Sequence, residues 1–395
     1  MGNKIRTVFL GFGRRGTHYA KLIQDLDEFE VTAAADVNPA FYDFHSEKFK
    51  DVKFYEDWRA LLEREEYDLV SVCAPDVFHE EMAVEVLERG KHLMLEKPMA
   101  LTPEGCLRIL EDHKRAGTKL FICFVLRYHN MYKKARQLVL DGAIGTPKAV
   151  WVQHSVTLNY FHNWMSDRAM SGGLLLQKGS HDIDIINWVI DGVPTKVSAF
   201  AGLDHFGGDA EHDLICPECE KKDTCPDSWF KKNKGVLEYG FKDAPMVRDL
   251  VRCAYRKEID VCDNHVVNIQ YENGVKASYN ECHFTPIDRR YFTFIGDEGQ
   301  ISTDSLDDTT TLIRRHSGKR EIFDIEEGAG GHGGGDAGLI DDLRKCLVEG
   351  GEPVADEKAG FLSILAAEGG ERSVAGGSII DLSDHVKRFR EITGN

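Results

Sequence analysis

Apolar runs alternate with amphipathic segments through the first third of the chain. Residues 5–10, IRTVFL, are typical of a buried strand, and the segment that follows carries apolar residues at helical spacing. The alternation returns in YDLVSVCAP, HEEMAVEVLERG, KHLMLEKP, TPEGCLRILEDHKRAG and KLFICFV. Strands separated by helices predict an α/β fold with a parallel, doubly wound sheet.

The pattern changes near Pro147, where longer segments alternate apolar and polar residues without intervening helices. These segments are KAVWVQHSV, TKVSAFAG, HVVNIQYENGVKASYNE, RRYFTFIGDEGQISTD and TTTLIRR. Asn273-Gly274 in the third segment is a strong hairpin signal. Successive strands of this kind predict a large, mainly antiparallel sheet.

A glycine-rich turn joins the first strand to the first helix. Gly11, Gly13 and Gly16 form the pattern G-x-G-x-x-G, which is typical of a dinucleotide-binding turn. Gly11 permits the tight turn, Gly13 lets the backbone approach a pyrophosphate, and Gly16 lets the helix pack closely on the strand. The strand VTAAAD ends at Asp36, whose carboxylate can bind both ribose hydroxyls and would repel a 2′-phosphate. The pattern favours NAD over NADP, although Asp36 could simply end the strand.

Other residues at the carboxyl ends of these strands should line the same crevice, because ligands of doubly wound sheets bind beyond those ends. Lys97, in LMLEKPMA, stands where a nicotinamide and its substrate would meet, and Pro98 ends the strand. Glu96 could pair with the Lys97 ammonium, and an ion pair without chemistry explains this tripeptide equally well. The predicted cofactor-binding residues are Gly11, Phe12, Gly13, Arg14, Arg15, Gly16, Asp36, Ala74, Pro75, His79, Glu96 and Lys97.

A second polar group lies in residues 171–192, SGGLLLQKGSHDIDIINWVIDG, which predict one helix opened by glycines. Gln177, His181 and Asp184 share one face at helical spacing, and Lys178 is a neighbour of His181. Asp184 is spaced to orient the imidazole, which is suited to accept a proton near neutral pH. A satisfied histidine at a partly exposed helix edge explains the pattern at least as well.

The cysteines of ICPECEKKDTCPDSW form a third group. Cys216, Cys219 and Cys225 give the pattern C-x-x-C-x₅-C, and Cys253 is a candidate for a fourth thiolate. Four thiolates suit a tetrahedral structural zinc, which would hold a long irregular insertion together. Reduced loop thiols without a metal are an equally good interpretation.

Composition limits the range of functions. Hydrophobic residues make up 42% of the chain and charged residues 29%, as in ordinary soluble proteins. Because 395 residues exceed what one core usually serves, we expect two domains, 1–126 and 127–395, with a Cys-rich insertion at about 205–262. The net charge of −17 argues against nucleic acid or anionic membrane as a partner. A cytoplasmic location is expected, since no leader or membrane span is recognised.

The chain resembles the glucose–fructose oxidoreductase / inositol dehydrogenase / MocA (Gfo/Idh/MocA) family over nearly its whole length. The resemblance rests on GFGRRG, ADVNP, CAPDVFHEEMAVEVLERGKHLMLEKPMA and SGGLLLQKGSHDID. It implies an N-terminal Rossmann domain and a C-terminal α/β domain with a large, open, mainly antiparallel sheet. It also implies NAD or NADP as cofactor and a sugar, sugar derivative or cyclitol as substrate. Lys97 and His181 match the family's active-site lysine and histidine.

One position departs from the family pattern. Many members carry Asp four residues before the histidine, where this chain has Gln177. Because glutamine cannot accept a proton, the acceptor would be His181, Lys97 or Lys178, and these three are the predicted catalytic residues. The predicted substrate-pocket residues are Arg127, Tyr128, His154, Trp164, Arg168, Gln177 and Asp184.

Together these features predict an NAD-dependent oxidoreductase that transfers a hydride between nicotinamide and a secondary hydroxyl of a sugar, sugar derivative or cyclitol. A histidine could accept the hydroxyl proton while a neighbouring ammonium stabilises the developing alkoxide. Two alternatives stay open: an NAD-dependent glycosidase that acts through a transient keto-sugar, and a non-catalytic NAD-binding regulatory protein. A large open sheet also predicts a homodimer or homotetramer.

Overall fold

The structure is a computed structural model. It describes residues 4–39, 47–157, 160–232, 251–326, 328 and 331–394. Part of the predicted Cys-rich insertion, residues 233–250, lies outside the described residues.

The first sheet is parallel and doubly wound, as the alternating pattern predicts. Its six strands lie in the order β3-β2-β1-β4-β5-β6. The strands are β1 (Ile5–Leu10), β2 (Phe29–Ala35), β3 (Lys53–Tyr55), β4 (Leu69–Val72), β5 (His92–Leu95) and β6 (Leu120–Ile122). The helices that accompany them are α1 (Arg14–Gln24), α2 (Trp58–Arg64), α3 (His79–Glu88) and α4 (Pro103–Ala116).

Helix α4 shows how local sequence sets these boundaries. The Thr102 hydroxyl accepts the backbone N–H of Gly105 at 3.0 Å, and Pro103 occupies the first turn. Gly117 ends the helix in a left-handed conformation with φ of +63°. A side-chain cap, a proline at the start and a glycine after the end are the usual signals of helix limits.

The second sheet has nine strands in the order β14-β13-β12-β11-β7-β10-β9-β8-β15. Only the β7–β10 pairing is parallel among these strands, so the predicted mainly antiparallel sheet is confirmed. Gly274, with φ of +83°, turns the hairpin between β9 and β10. The strands are β7 (Pro147–Ser155), β8 (Pro194–Gly202), β9 (Asn264–Tyr271), β10 (Lys276–Cys282), β11 (Arg289–Gly296), β12 (Gly299–Asp304), β13 (Thr309–Arg314), β14 (Arg320–Asp324) and β15 (Ile380–Asp381).

Further helices follow the first sheet, and some of them contact strands of the second sheet. They are α5 (Asn130–Leu140), α6 (Arg168–Ser171), α7 (Ser180–Ile190), α8 (Trp229–Lys232), α9 (Gly335–Val348), α10 (Glu357–Gly376) and α11 (Ser383–Thr393). Helix α9 returns to the first sheet, where Leu339, Ile340 and Leu343 are buried beside Phe9. Burial of each such side chain contributes about 1.5–3 kcal/mol.

The outer face of the second sheet carries large apolar side chains. Trp151, Phe200 and Val266 are 59%, 77% and 42% exposed. The strand register places all three on the same face. Val266 pairs with Phe200 on one side and with Asn280 on the other. Ser278, two positions before Asn280 and therefore on the same face, pairs with Trp151. This face is therefore an exposed apolar surface of the described chain.

Candidate active site

The glycine turn after β1 is as tight as its sequence pattern requires. Gly11 has φ of +92°, and a Cβ atom there would lie 2.6 Å from the carbonyl carbon of Cys73. A Cβ atom on Gly16 would lie 2.1 Å from the carbonyl oxygen of Gly11. Gly13 is the N-cap of α1, and no side chain caps this helix terminus. The terminus can therefore present N–H groups to a pyrophosphate, and the turn fits a bound dinucleotide.

Asp36 follows β2 beside this turn. Its carboxylate accepts the backbone N–H of Phe12 at 2.8 Å and that of Asn38 at 2.9 Å. Burial raises the pKa of the Asp36 carboxyl, and these hydrogen bonds oppose the shift. A carboxylate has about four lone-pair positions, so acceptor capacity remains for ribose hydroxyls.

Arg15 binds carboxylates of the protein itself. Its Nε donates to Glu96 Oε1 at 2.9 Å, and its Nη2 donates to Asp336 Oδ1 at 3.0 Å. The guanidinium also lies 4.3 Å from the centroid of the Tyr19 ring. Arg14, by contrast, is exposed. Arg15 thus ties α1 to the end of β5, and its charge is already shared by two carboxylates.

Lys97 lies between the end of β5 and the segment that precedes α7. It is 8% exposed, and its Nζ donates to the backbone carbonyl of Gln177 at 2.6 Å. Burial, and next the neighbouring Lys178 ammonium, lower the pKa of Lys97. An amine whose pKa is lowered toward neutrality can take up a proton in catalysis.

The segment that carries Gln177 differs from the single helix that its spacing predicts. Residues Leu175–Gly179 form a π-helical turn, and α7 begins only at Ser180. A π-helical turn holds an extra residue, which changes the side chains that share a face, and such turns are frequent at functional sites. The carbonyl of Gln177 here accepts a hydrogen bond from the Lys97 ammonium. Helical periodicity does not reveal this contact, because the two residues are far apart in the sequence.

His181 lies near this ammonium, in the first turn of α7. Its Nδ1 is buried and has no hydrogen-bond partner. Burial, followed by the cationic groups of Lys97, Arg290, His332 and Lys178, holds the pKa of His181 well below its usual value. The ring is therefore neutral near pH 7.

Asp184 does not orient this imidazole. Its carboxylate accepts two hydrogen bonds from the Arg127 guanidinium, at 2.8 and 2.7 Å, in a buried bidentate pair. Tyr128 donates to a carboxylate oxygen of Asp342 on α9 at 2.8 Å. Three of the predicted pocket residues thus make buried contacts between elements of the fold.

The amine of Lys178, a predicted catalytic residue, and the carboxylate of Asp76, which sequence analysis did not single out, lie near Lys97. The Lys178 ammonium lies 3.7 Å from the centroid of the Tyr160 ring, and burial lowers the pKa of Lys178 to about 8. Asp76 begins the 3₁₀ turn after β4, is 3% exposed, and has one carboxylate oxygen without a hydrogen-bond partner. Burial raises the pKa of Asp76, while Lys97, Lys178 and a hydrogen bond from the Gln177 side chain oppose the shift.

A row of polar side chains crosses the inner face of the second sheet. The register places Arg290, His154, Glu281 and His265 side by side on β11, β7, β10 and β9. Asp182 of α7 lies 2.8 Å from Arg290 Nε and 2.8 Å from His154 Nδ1. Of this row, sequence analysis predicted only His154. Opposite charges therefore stabilise one another along this row.

The other predicted residues lie in loops, short turns and helix starts. The ring nitrogens of His79 lie 2.6 Å from the carbonyl oxygen of Pro98 and 2.9 Å from that of Ala74, so His79 connects the loops after β4 and β5. The Lys97–Pro98 peptide bond in this loop is cis. Arg168 pairs with a glutamate of α10 at 2.7 Å, and Trp164 lies in a short 3₁₀ turn.

The cysteine group does not form a metal centre in the described chain. Burial raises the pKa of Cys253, and the thiols of Cys219, Cys216 and Cys225 are near enough to raise it further. All ten cysteines are free. Among the described residues, however, no group of three or more His, Cys, Asp or Glu could hold a metal ion. The predicted structural zinc is therefore not supported.

None of the described helices combines the length and the apolar character that crossing a bilayer requires.

Comparison with known proteins agrees with this architecture. The family described as an oxidoreductase family with an NAD-binding Rossmann fold matches residues 5–124, and the GFO/IDH/MocA C-terminal domain matches residues 132–302. The protein is therefore an NAD-binding oxidoreductase. It belongs to the Gfo/Idh/MocA family.

Individual relatives are distant. YteT of Bacillus subtilis (strain 168), which is designated an oxidoreductase, is 26% identical over 93% of this chain and 95% of its own length. Myo-inositol 2-dehydrogenase of Thermotoga maritima is 28% identical over 47% of this chain and 55% of its own.

Solved structures share the fold at lower identity. The aldose-aldose oxidoreductase of Caulobacter crescentus, in complex with glycerol, has a TM-score of 0.71 at 19% identity, over 96% of this chain and 100% of that one. The WlbA dehydrogenase of Bordetella pertussis, in complex with NADH and UDP-GlcNAcA, has a TM-score of 0.71 at 19% identity, over 96% and 99%. At this identity the likeness establishes the fold alone.

Proposed function

We propose that the protein is an NAD-dependent dehydrogenase that oxidises a secondary hydroxyl of a sugar, sugar derivative or cyclitol. The observation that carries the proposal is the convergence of the Lys97 amine with the His181 ring at the crevice of the first sheet. Lys97 is bonded to the Gln177 carbonyl, four residues before His181, and is the nearby cation with the largest effect on the His181 ring. An amine and an imidazole beside a nicotinamide site are the groups that alcohol oxidation needs.

The polar atoms around these two groups support a hydroxyl-rich substrate. Gln177 Oε1, Ser180 Oγ, His181 Nδ1 and Asp76 Oδ2 are buried and have no hydrogen-bond partner. Buried polar groups are normally satisfied, so several such atoms in one place favour a ligand that supplies donors and acceptors. A sugar or cyclitol carries both on every hydroxyl.

Each side chain would have a definite task. Bound NAD supplies the acceptor for the hydride, held by the glycine turn and Asp36. Neutral Lys97 takes the proton of the reacting hydroxyl, and the ammonium so formed is converted back to the amine by proton release. The neutral ring of His181 accepts or donates a hydrogen bond that orients the hydroxyl. The Lys178 ammonium stabilises negative charge that develops on the oxygen.

The relatives favour the same substrate class. One is named a myo-inositol 2-dehydrogenase, and two structural neighbours are named for an aldose reaction and for a complex with UDP-GlcNAcA. The carboxylate of Asp36 further favours NAD over NADP, because a 2′-phosphate would meet its negative charge.

We also propose that two copies of the chain associate through the outer face of the second sheet. Trp151, Phe200 and Val266 form an apolar surface there, and a second copy would cover it with the same residues. Exposed apolar patches of this kind mark interaction sites.

The decisive experiment is a screen of sugars, cyclitols and glycosides with NAD and, separately, with NADP. Reduced nicotinamide and sugar products are both measured. Accumulation of NADH with a keto product supports the proposal. Glycoside cleavage without net NADH would identify the redox-assisted glycosidase instead. If the NAD-bound protein reacted with none of these compounds, a non-catalytic role would be favoured.

A further inference from the structure

The carboxylates near the amines of Lys97 and Lys178 differ in whether a cation pairs with them. Asp76, Glu96 and Glu281 all influence Lys178 electrostatically. Glu96 is paired with Arg15 and Glu281 with His283, at 2.9 and 2.5 Å. Asp76 forms no ion pair with any residue that the structure describes, although it is buried. Of these three carboxylates, Asp76 is thus the one without an ion-pair partner among the described residues.

The groups around Asp76 come from three elements. Lys97 and Glu96 follow β5, Lys178 and Gln177 belong to the π-helical turn, and Asp76 itself follows β4. One oxygen of Asp76 and the side-chain oxygen of Gln177 are buried without a hydrogen-bond partner. The Gln177 side chain is near enough to Asp76 to lower the pKa of that carboxyl, but its amide can itself carry no proton.

We propose that Asp76 is the proton-sharing partner of Lys97 and Lys178, and that it receives, through Lys97, the proton that the substrate hydroxyl loses. This inference rests on the proposed function. Asp76 acts through the lysine and is therefore a positioning and relay residue, whereas Lys97 touches the reacting hydroxyl.

The substrate O–H bond breaks and a new N–H bond forms on neutral Lys97. The carbinol C–H bond breaks and a C=O bond forms, and bound NAD would supply the acceptor for the hydride that leaves. The Lys97 ammonium then passes a proton to the Asp76 carboxylate, which restores the amine. The carboxylic acid of Asp76 releases that proton to water as product leaves.

The test is the pH dependence of alcohol oxidation. The negative charge of Asp76 raises the pKa of Lys97, so its removal should lower that pKa. In Asp76→Asn we expect the rising limb of the pH–kcat profile to move to lower pH by about one unit. We also expect kcat to fall by about tenfold or more, because the relay is lost.

Two further variants make the test specific. Gln177 is near enough to Asp76 to influence its pKa, so adding Gln177→Asp to Asp76→Asn places a carboxylate close to the one that was removed. The rising limb should then move back toward that of the wild type. Asp51→Asn, at an exposed aspartate of the same half of the chain, should leave the limb unchanged. A limb that stays in place in Asp76→Asn, or that the second substitution fails to move back, would overturn the inference.

A measurement that needs no catalytic turnover separates this inference from the proposed function. Infrared difference spectra of the NAD-bound wild type between pH 6 and about 9 should contain a carboxylic-acid carbonyl band that titrates and is missing in Asp76→Asn. Identical spectra for the two proteins would refute proton uptake by Asp76. If the wild type oxidised no polyol, the proposed function would fail, and these spectra would still decide whether Asp76 holds a proton.

Discussion

Lys97→Met is the most direct test of the reaction centre. Methionine keeps an unbranched side chain of similar length and removes only the amine. The substitution takes the donor away from the Gln177 carbonyl, which Lys97 Nζ reaches at 2.6 Å. It also removes the cation that most strongly depresses the pKa of His181, so that pKa should rise.

The expected effects on stability and on turnover differ in size. An unpartnered buried carbonyl costs about 1–3 kcal/mol. Against this, the variant no longer buries an ammonium next to Lys178, so the net change in unfolding free energy should be small and the fold should persist. Loss of a proton acceptor lowers kcat by about 10²–10⁴-fold, which is about 2.7–5.5 kcal/mol of transition-state stabilisation.

The assay compares kcat with NAD affinity on the best substrate of the screen. NADH formation gives kcat, and equilibrium titration gives the dissociation constant of NAD, which should change by no more than about threefold because Lys97 lies beyond the glycine turn. Lys91→Met is a matched control at the opposite end of β5, where the ammonium lies 5.3 Å from the Tyr67 ring. A folded Lys97→Met protein with wild-type kcat would refute the role assigned to the amine.

Three further outcomes follow from the geometry. Asp36→Ala should raise the NADP/NAD ratio of kcat/KM by about tenfold or more, since the carboxylate that binds ribose hydroxyls and repels a 2′-phosphate is gone; an unchanged ratio would contradict this. Trp151→Glu combined with Phe200→Glu should reduce the molar mass measured by light scattering to that of a monomer, while a monomeric wild type would contradict the assembly. Lys178→Met should raise the unfolding free energy at pH 7 by about 1–3 kcal/mol in urea titrations. The pKa of Lys178 is about 8 in the fold and 10.5 ordinarily, so the unfolded state binds more protons between these two pH values. The stability of the wild type therefore rises with pH in this range, and the stability advantage of Lys178→Met should shrink.

The sequence predicted the parts of the site that depend on local pattern. The glycine turn, the acid at the end of the second strand and the lysine at the end of the fifth all follow from strand–helix alternation, which fixes where strand ends meet. Asp76 also stands at such an end, directly after Pro75, and could have been found by extending the same rule by one residue.

Other features depend on register and could not be read from local pattern. Glu281 and Arg290 join His154 only because β10 and β11 flank β7, and no periodicity within one strand reveals its neighbours. The π-helical turn similarly changes the face that Gln177 presents, and the bidentate pair with Arg127 takes Asp184 away from the imidazole. Helical spacing is reliable within one helix, but it does not show which distant side chain competes for a carbonyl or a carboxylate.

The placement of Asp76, Lys97 and Lys178 close together has a chemical consequence. In water, an aspartate and a lysine differ by about 6.5 pKa units, so moving a proton from an ammonium to a carboxylate is uphill by about 9 kcal/mol. In the fold, burial raises the pKa of Asp76 and lowers those of both lysines, so the gap narrows from both sides. Proton transfer is most efficient when donor and acceptor are matched near the working pH. A low-dielectric site in which Asp76 forms no ion pair therefore lets a proton move between groups whose pKa values would lie far apart at the surface. Burying these groups lowers the stability of the fold, and this loss accompanies the reactivity.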